Sequence, residues 1–358
     1  MLLLRSLPAA GMVTRMARRP TILDVARRAG VSKGAVSFAL NGRPGLAPAT
    51  RNRILVAARE LEWQPSSRAR ALSHSRAYAH GLVISRPPAL LGADPFFGQF
   101  LAGIETTLAG QGMALILQVV GSDATVEVAS YRRLAAEERV DGVFLADLRV
   151  RDPRFALLVQ LGLPAIAVGR PIGACPFPAV MIDDRTGVAE AVAHLLALGH
   201  TRIAYVGGTD GYVHAASRRE AWRGALEAAG VAPGPELVGD FTGPGGAAAT
   251  RALLALPDRP TAVVYANDLM AVAGMSVAHS QGLKLPADLS VVGFDDVPLA
   301  AHVAPALTTV RQDAEAWGRA AAQALLALAG GEAVEDRSLA PSQLVVRSSS
   351  SPPGHPKP

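Results

Sequence analysis

Two rhythms of apolar residues divide this chain. Between Thr21 and Leu61 apolar positions recur at helical spacing in short bursts, whereas beyond Tyr78 they gather into strand-length runs that alternate with amphipathic stretches. In the first burst Thr21 is a good N-cap, Val25, Ala26 and Ala29 share one side, and Gly30 supplies the left-handed residue that ends a helix. Ser32 caps a second helix, whose Val36 and Leu40 share a face that can pack on Val25 and Val31. Pro48 is tolerated in the first turn of a third helix, and Ile54, Ala57, Ala58 and Leu61 form its inner face. Ala47 is a poor cap, so fraying is expected there. Two short helices joined by a tight glycine turn make a helix-turn-helix, and the third completes a small all-α head that Pro65 closes.

The later runs predict a different architecture. Gly81–Ser85, Ala114–Val119, Gly142–Leu145 and Ala165–Val168 read as strands, with helices at Phe100–Ala109, Val126–Glu138 and Pro153–Leu161 between them. A second series places strands at Val180–Ile182, Ile203–Val206, Glu236–Asp240, Ala262–Tyr265 and Ser290–Phe294. Helices at Val188–Leu198, Arg219–Ala229, Ala247–Leu256 and Leu269–Gly282 separate them. Such alternation implies parallel sheets covered on both faces, and its length suits two doubly wound units, hence an α/β body of two lobes with a cleft between them.

Charge sharpens the division. Residues 1–78 hold 14 Lys and Arg against 3 Asp and Glu, a net of +11; the remaining residues hold 21 against 27, a net of −6. A basic head on a mildly acidic body is the footprint of a polyanion partner confined to one end, and a helix-turn-helix lays its second helix in a DNA major groove. The one cysteine, Cys175, rules out an internal disulfide and fits a reducing compartment. No apolar run reaches the ~18–20 residues of a spanning helix. The Leu run near the N-terminus is too short for an export signal and its charge follows rather than precedes it, so residues 1–19 are expected to be a disordered basic leader.

Ligands of open parallel sheets sit beyond the carboxyl ends of the strands. There the sequence sets Asp94-Pro95-Phe96-Phe97, Gly169-Arg170-Pro171, Phe241, Asn267-Asp268 and Asp295-Asp296. Aromatic faces combined with Asn, Asp and Arg suit a polyhydroxylated ring, which needs stacking for its C–H faces and paired donors or acceptors for its hydroxyls. Enzymatic patterns are lacking: Gly207-Gly208 and Gly243–Gly246 have neither phosphate-loop nor dinucleotide spacing, the eight His show no metal-ligand spacing, and no Ser stands in a nucleophile elbow. No cofactor or metal is expected, and His200 reads as a helix C-terminal residue.

The segment TILDVARRAGVSKGAVSFALNGRPGLAPATRNRILVAARELEWQPSSRARAL resembles the DNA-binding head and hinge of the lactose-repressor (LacI) family of bacterial transcription regulators. LLALGHTRIAYVGG, VVYANDLMAVAGM, LSVVGFDD, LTTVRQD and LVVRSS extend the likeness from about Thr21 to Ser348. The resemblance implies that Ser32, Lys33, Gly34, Ser37 and Asn41 face DNA, with Lys33 and Gly34 choosing bases, and that Thr21, Phe38 and Arg51 join them. Phe38 stands where many members carry Arg, which leaves at most an apolar contact to a thymine methyl. Ser66–Leu72 would be a hinge that becomes helical on DNA, with Ala69 in contact and Leu72 wedged into the minor groove. Effector contacts would fall on Phe96, Phe97, Arg170, Arg218, Phe241, Asn267, Asp295 and Gln312. Gly169 replaces a common Asp and removes a hydroxyl acceptor.

The expected domains are the leader at 1–19, the head at 20–65, a hinge at 66–77, an effector-binding and dimerisation body at 78–347, and a disordered tail at 348–358. The expected protein is a cytoplasmic homodimer that binds a palindromic operator, first of all as a repressor, and responds to a sugar or sugar-like metabolite between its lobes. The alternative is a solute-binding protein sharing the body fold, which the basic head and the missing export signal oppose.

Overall fold

The computed structural model describes residues 20–40, 44–63 and 76–354, in two units that divide after Ser75. The first unit is three helices: α1 (Ile22–Ala29), α2 (Lys33–Leu40) and α3 (Pro48–Glu60). Thr21 starts α1 by donating its backbone N–H and its hydroxyl to the Asp24 carboxylate at 2.8 and 2.7 Å. Gly30, at φ 64°, ends it. Ser32 caps α2 as expected, its Oγ accepting the Ala35 N–H at 3.2 Å. Val25, Val36 and Ile54 are wholly buried, and Ala26, Ala29, Ala39, Ala57 and Ala58 let the helices close on them. Leu40 is only half-buried at the edge of this core, and Trp63 joins it from beyond α3. An exposed Arg28 to Glu60 hydrogen bond of 2.8 Å ties α1 to α3.

The second unit runs β1 (Ala79–Ile84), α4 (Pro88–Ala93), α5 (Pro95–Gly110), β2 (Ala114–Val119), α6 (Ala124–Ala136), β3 (Val143–Leu145), α7 (Arg154–Gln160), β4 (Ala165–Val168) and β5 (Ala179–Met181). It continues through α8 (Asp184–Ala197), β6 (Ile203–Gly207), α9 (Val213–Ala228), β7 (Glu236–Val238), α10 (Gly243–Leu254), β8 (Ala262–Tyr265), α11 (Asp268–Ser280) and β9 (Ser290–Asp295). β10 (Thr308–Arg311), α12 (Ala314–Ala329), β11 (Arg337–Ser338) and β12 (Gln343–Val345) complete it. One six-stranded sheet has the order β11-β5-β4-β3-β1-β2, the other β12-β10-β9-β8-β6-β7, and every pairing is parallel except β10 with β12. The chain therefore passes between lobes three times, after β5, after β10 and after β11. Wholly buried Trp222, Tyr205, Tyr265 and Phe294 fill the second lobe, and Phe144, Leu82, Ile104 and Tyr131 the first.

Several expectations change. The strand expected at Val180–Ile182 runs over Ala179–Met181, lies between β11 and β4 in the first sheet, and does not open a second series. α12 has no counterpart among the expected helices. It nevertheless packs backbone to backbone on α5, where a Cβ on Gly103 would collide with the Glu315 carbonyl and one on Gly318 with the Phe100 carbonyl. The body begins at Arg76, inside the segment expected to be hinge: Ala77 and Tyr78 donate their N–H groups to the Asp141 carboxylate at 2.7 and 2.8 Å, and Arg76 donates to the Ala329 carbonyl at 3.0 Å. The tail is not disordered through Gly354. Ser349 is wholly buried, its Oγ donates to the Val291 carbonyl at 2.6 Å and accepts from the Thr308 N–H at 2.8 Å, so these serines extend the second sheet's bonding. The leader at 1–19, the remaining hinge residues and the last four residues lie outside the described residues.

Candidate functional site

The exposed start of α2 is the first site. Ser32, Lys33 and Gly34 are exposed, and helical spacing stacks Ser37 above Lys33 and Phe38 above Gly34. Ser37 is half-buried, whereas Phe38 is 42% exposed, a large ring left on the surface of a small unit. Arg51 donates from Nη1 to the Ala39 carbonyl at 3.0 Å, which holds the end of α2. Thr21 is engaged with Asp24 as the α1 cap. Asn41, Ala69 and Leu72 lie outside the described residues.

The second site is a cavity of about 260 Å3 between the lobes. All eight of the expected cleft residues, Phe96, Phe97, Arg170, Arg218, Phe241, Asn267, Asp295 and Gln312, line it. Seven of them end or follow a strand or open the helix after it, and Arg218 comes from the second turn of α9. Asp94 caps α5 by accepting the Phe96 N–H at 3.1 Å and accepts from the Asn267 amide of the opposite lobe at 3.5 Å. Asn267 in turn caps α11 at Met270 and donates to the Phe241 carbonyl at 3.0 Å. Arg218 donates to Asp184 at 3.3 Å and to the Ala266 carbonyl at 2.7 Å, with its guanidinium 3.5 Å from the Phe294 ring centroid. Asp295, at φ 112°, accepts the Gln312 amide at 2.6 Å. Arg170 is exposed at the rim, and Gly169, at φ 115°, occupies backbone space that favours glycine.

Further residues that the sequence pattern does not single out complete this wall. Arg86, just past β1, clamps Asp147, just past β3, with two bonds of 2.6 Å. Tyr212 and Phe241 of the other lobe cover that guanidinium at 4.9 and 5.1 Å. His214 stacks on Tyr212, and Trp317 of α12 meets Phe96 and Phe100 edge-on while donating its indole N–H to the Val180 carbonyl at 2.7 Å. Their positions just past β1 and β3 are the sequence signal for Arg86 and Asp147; Tyr212 and His214 stand at the start of α9, which begins at Val213, six residues before the expected Arg219. A short antiparallel bridge also straps the lobes together: Val150 N–H donates to the Gly211 carbonyl at 3.0 Å, and Val213 N–H to the Leu148 carbonyl at 2.8 Å.

Burial shapes the electrostatics. It raises Asp295 well above the ordinary carboxyl value, Arg218 opposing and Asp94 adding to the rise. It raises Asp94 too, against the Phe96 N–H and Arg86. It also lowers His214 to about 3, helped by Arg218, so that imidazole is neutral. At Asp147 burial works the other way from the net result, because the Arg86 charge and hydrogen bonds outweigh it and hold the carboxyl below its ordinary value. Among the described residues no group of three or more His, Cys, Asp and Glu could hold a metal ion, and no helix is long and apolar enough to cross a membrane.

Known proteins share both sites' scaffolds. A family model described as bacterial regulatory proteins, lacI family, matches residues 21–66, and one described as a periplasmic binding protein-like domain matches residues 192–350. The HTH-type transcriptional regulator CelR of Thermobifida fusca is 36% identical over 337 residues, 93% of this chain and 98% of the relative. A solved transcriptional regulator CelR–cellobiose complex aligns with a TM-score of 0.71 at 35% identity, over 92% of this chain and 100% of that one. The lac repressor dimer bound to operator and the anti-inducer ONPF aligns with a TM-score of 0.83 at 30% identity, over 93% of this chain and 100% of that one. With a likeness this deep running from the first helix through the second sheet, the chain belongs to the lacI family of bacterial regulatory proteins.

Proposed function

We propose that this protein is a transcriptional regulator, acting as a repressor, which binds operator DNA through α2 and changes its affinity when a carbohydrate occupies the interlobe cleft. The observation that carries the reading is that one chain joins an exposed helix-turn-helix face to a cleft whose polar groups alternate between donors and acceptors. Arg86 and Arg218 offer N–H groups, Asp94, Asp295 and Gln312 offer oxygens, and Phe96, Phe241 and Trp317 offer ring faces. That combination suits a sugar, and the relative solved with cellobiose supports a saccharide as the first ligand to try.

In this reading Ser32, Lys33, Gly34, Ser37, Phe38 and Asn41 read the major groove, Thr21 and Arg51 sit near the backbone, and Ala69 and Leu72 enter the minor groove. The protein works in the cytoplasm as a homodimer on a palindromic site, which the operator-bound dimeric relative supports. The reading includes no catalytic step: Asp94 and Asp295 are engaged by Phe96, Asn267 and Gln312 as structural acceptors. A solute-binding role alone leaves the first unit without a purpose. The test is a gel shift of the full chain on DNA adjoining its own gene, with cellobiose and a panel of other saccharides added in turn. A specific shift that one saccharide reverses is expected; no shift, or a shift that no saccharide alters, refutes the reading.

A further inference from the structure

The charge pattern of the cleft narrows the ligand class, on the reading above that the cleft is where the effector binds. Each of its buried cations is already balanced by a carboxylate of the cleft, whatever N–H groups it still turns to a ligand: Arg86 clamps Asp147, and Arg218 meets Asp184 and the Ala266 carbonyl. Arg185, exposed at the rim, meets Glu220 at 3.1 Å. The helix N-termini that open on the cavity, which elsewhere hold anions, are occupied from within the chain. Asp94 takes the Phe96 N–H at α5, Asp183 the Arg185 N–H at α8, Asn267 the Met270 N–H at α11, and the Leu148 carbonyl takes the Val213 N–H at α9.

What remains is negative. Asp94 and Asp295 are both buried, and among the described residues neither forms an ion pair. Arg170 is the cavity's other cation, and it stands exposed at the rim where water screens it. We propose that the cleft selects an uncharged, hydroxyl-bearing ligand and rejects the same ligand once it carries a phosphate or a carboxylate. A hydroxyl donates into the acceptor capacity that Asp94 and Asp295 keep beyond their bonds from Phe96, Asn267 and Gln312. An added anion meets Asp94 and Asp295 in a desolvated space where, among the described residues, both buried guanidiniums already balance a carboxylate.

Calorimetry on the full chain tests this, using neutral mono- and disaccharides including cellobiose, each beside its 6-phosphate, together with a uronic acid beside its methyl ester to separate charge from size. A neutral sugar is expected to bind, with its phosphate at least about 100-fold weaker and the ester tighter than the free acid, as a like charge in a buried site demands. In Asp94→Asn or Asp295→Asn the ratio of neutral to anionic affinity should fall at least about fivefold. A charged sugar binding as tightly as its neutral partner, or an unchanged ratio in both variants, overturns the proposal while leaving the cleft a carbohydrate site. If no saccharide of either kind binds, the reading of the cleft falls and this inference with it.

Discussion

Gly208 is the residue whose replacement by alanine most directly tests the packing of the cleft. It follows β6, is buried, and keeps a backbone outside the left-handed region, so Gly208→Ala costs nothing in conformation. It does cost space. A Cβ at this position would fall on the Cε2 and Cζ atoms of Phe241, inside the van der Waals envelope of the ring. The ring would have to retreat by roughly 2 Å to restore normal contact. Phe241 has little freedom to do so, because its carbonyl is held by Asn267, its backbone sits at φ 65°, and its ring lies 5.1 Å from the Arg86 guanidinium and 5.2 Å from the His214 ring. Phe241 lines the cavity, so displacing its ring reshapes that wall. Overpacking of this kind costs about 1–3 kcal/mol of stability. A displaced ring in the wall of a cavity of about 260 Å3 should weaken saccharide binding at least about tenfold, or ~1.4 kcal/mol. Urea unfolding and calorimetry read the two effects. Phe241→Ala alone should cost about 3–5 kcal/mol, and the double variant no more than that, since the collision is gone. If the single costs simply add, or if Gly208→Ala keeps wild-type stability and affinity, the packing argument is wrong.

Three further outcomes follow from the same structure. Operator affinity should fall steeply with salt, and Lys33→Ala should flatten the log–log slope by roughly 0.9 if Lys33 meets a phosphate and by nothing if it reads a base, as an anisotropy titration at several salt concentrations distinguishes. Ser32→Ala removes the acceptor for the Ala35 N–H and should cost the head about 0.5–2 kcal/mol, seen in its thermal melting; an unchanged melt refutes the capping role. Burial, against bonds from Thr309 and Val297, raises the Asp268 carboxyl to about 7, above its unfolded value. That proton stabilises the fold fully at pH values below the unfolded pKa, and the contribution is lost as pH rises through about 7. Relative to Asp268→Asn, wild type should therefore lose stability on the order of a few kcal/mol between acid and neutral pH, and a pH-independent difference in urea midpoints would refute the assignment.

The legible parts were those where local chemistry and tertiary role coincide. Thr21, Gly30 and Ser32 announce helix ends by residue type alone, and the structure uses them so. Strands such as Ala262–Tyr265 read clearly because parallel strands buried on both faces are unbroken apolar runs. Phe96, Phe97, Arg170, Phe241, Asn267 and Asp295 are legible because the carboxyl ends of such strands are where ligands sit, whereas Arg218 and Gln312 come only from the family resemblance. What failed depends on distance in sequence. β11 and β12 are two and three residues long, too short for a pattern, and exist because the chain returns to sheets built earlier. The tail serines look like a linker, yet find Val291 and Thr308 waiting at the sheet edge. The Arg86–Asp147 clamp joins residues 61 apart, and nothing in either local sequence shows that the two strand ends are neighbours. His200 follows a helix as expected, but its Nδ1 and Nε2 reach Thr261, Ser290 and Ser351, a junction no local reading contains.

The most direct test of the whole account is one titration: fluorescence anisotropy of a labelled palindromic DNA from upstream of the gene, with the full chain added at fixed salt, in the absence and presence of the neutral saccharide that calorimetry shows to bind the body. The account predicts tight, sequence-specific binding without saccharide and a loss of at least about tenfold with it, the differential affinity that a ligand-driven switch requires. Identical curves with and without a saccharide known to occupy the cleft would contradict it.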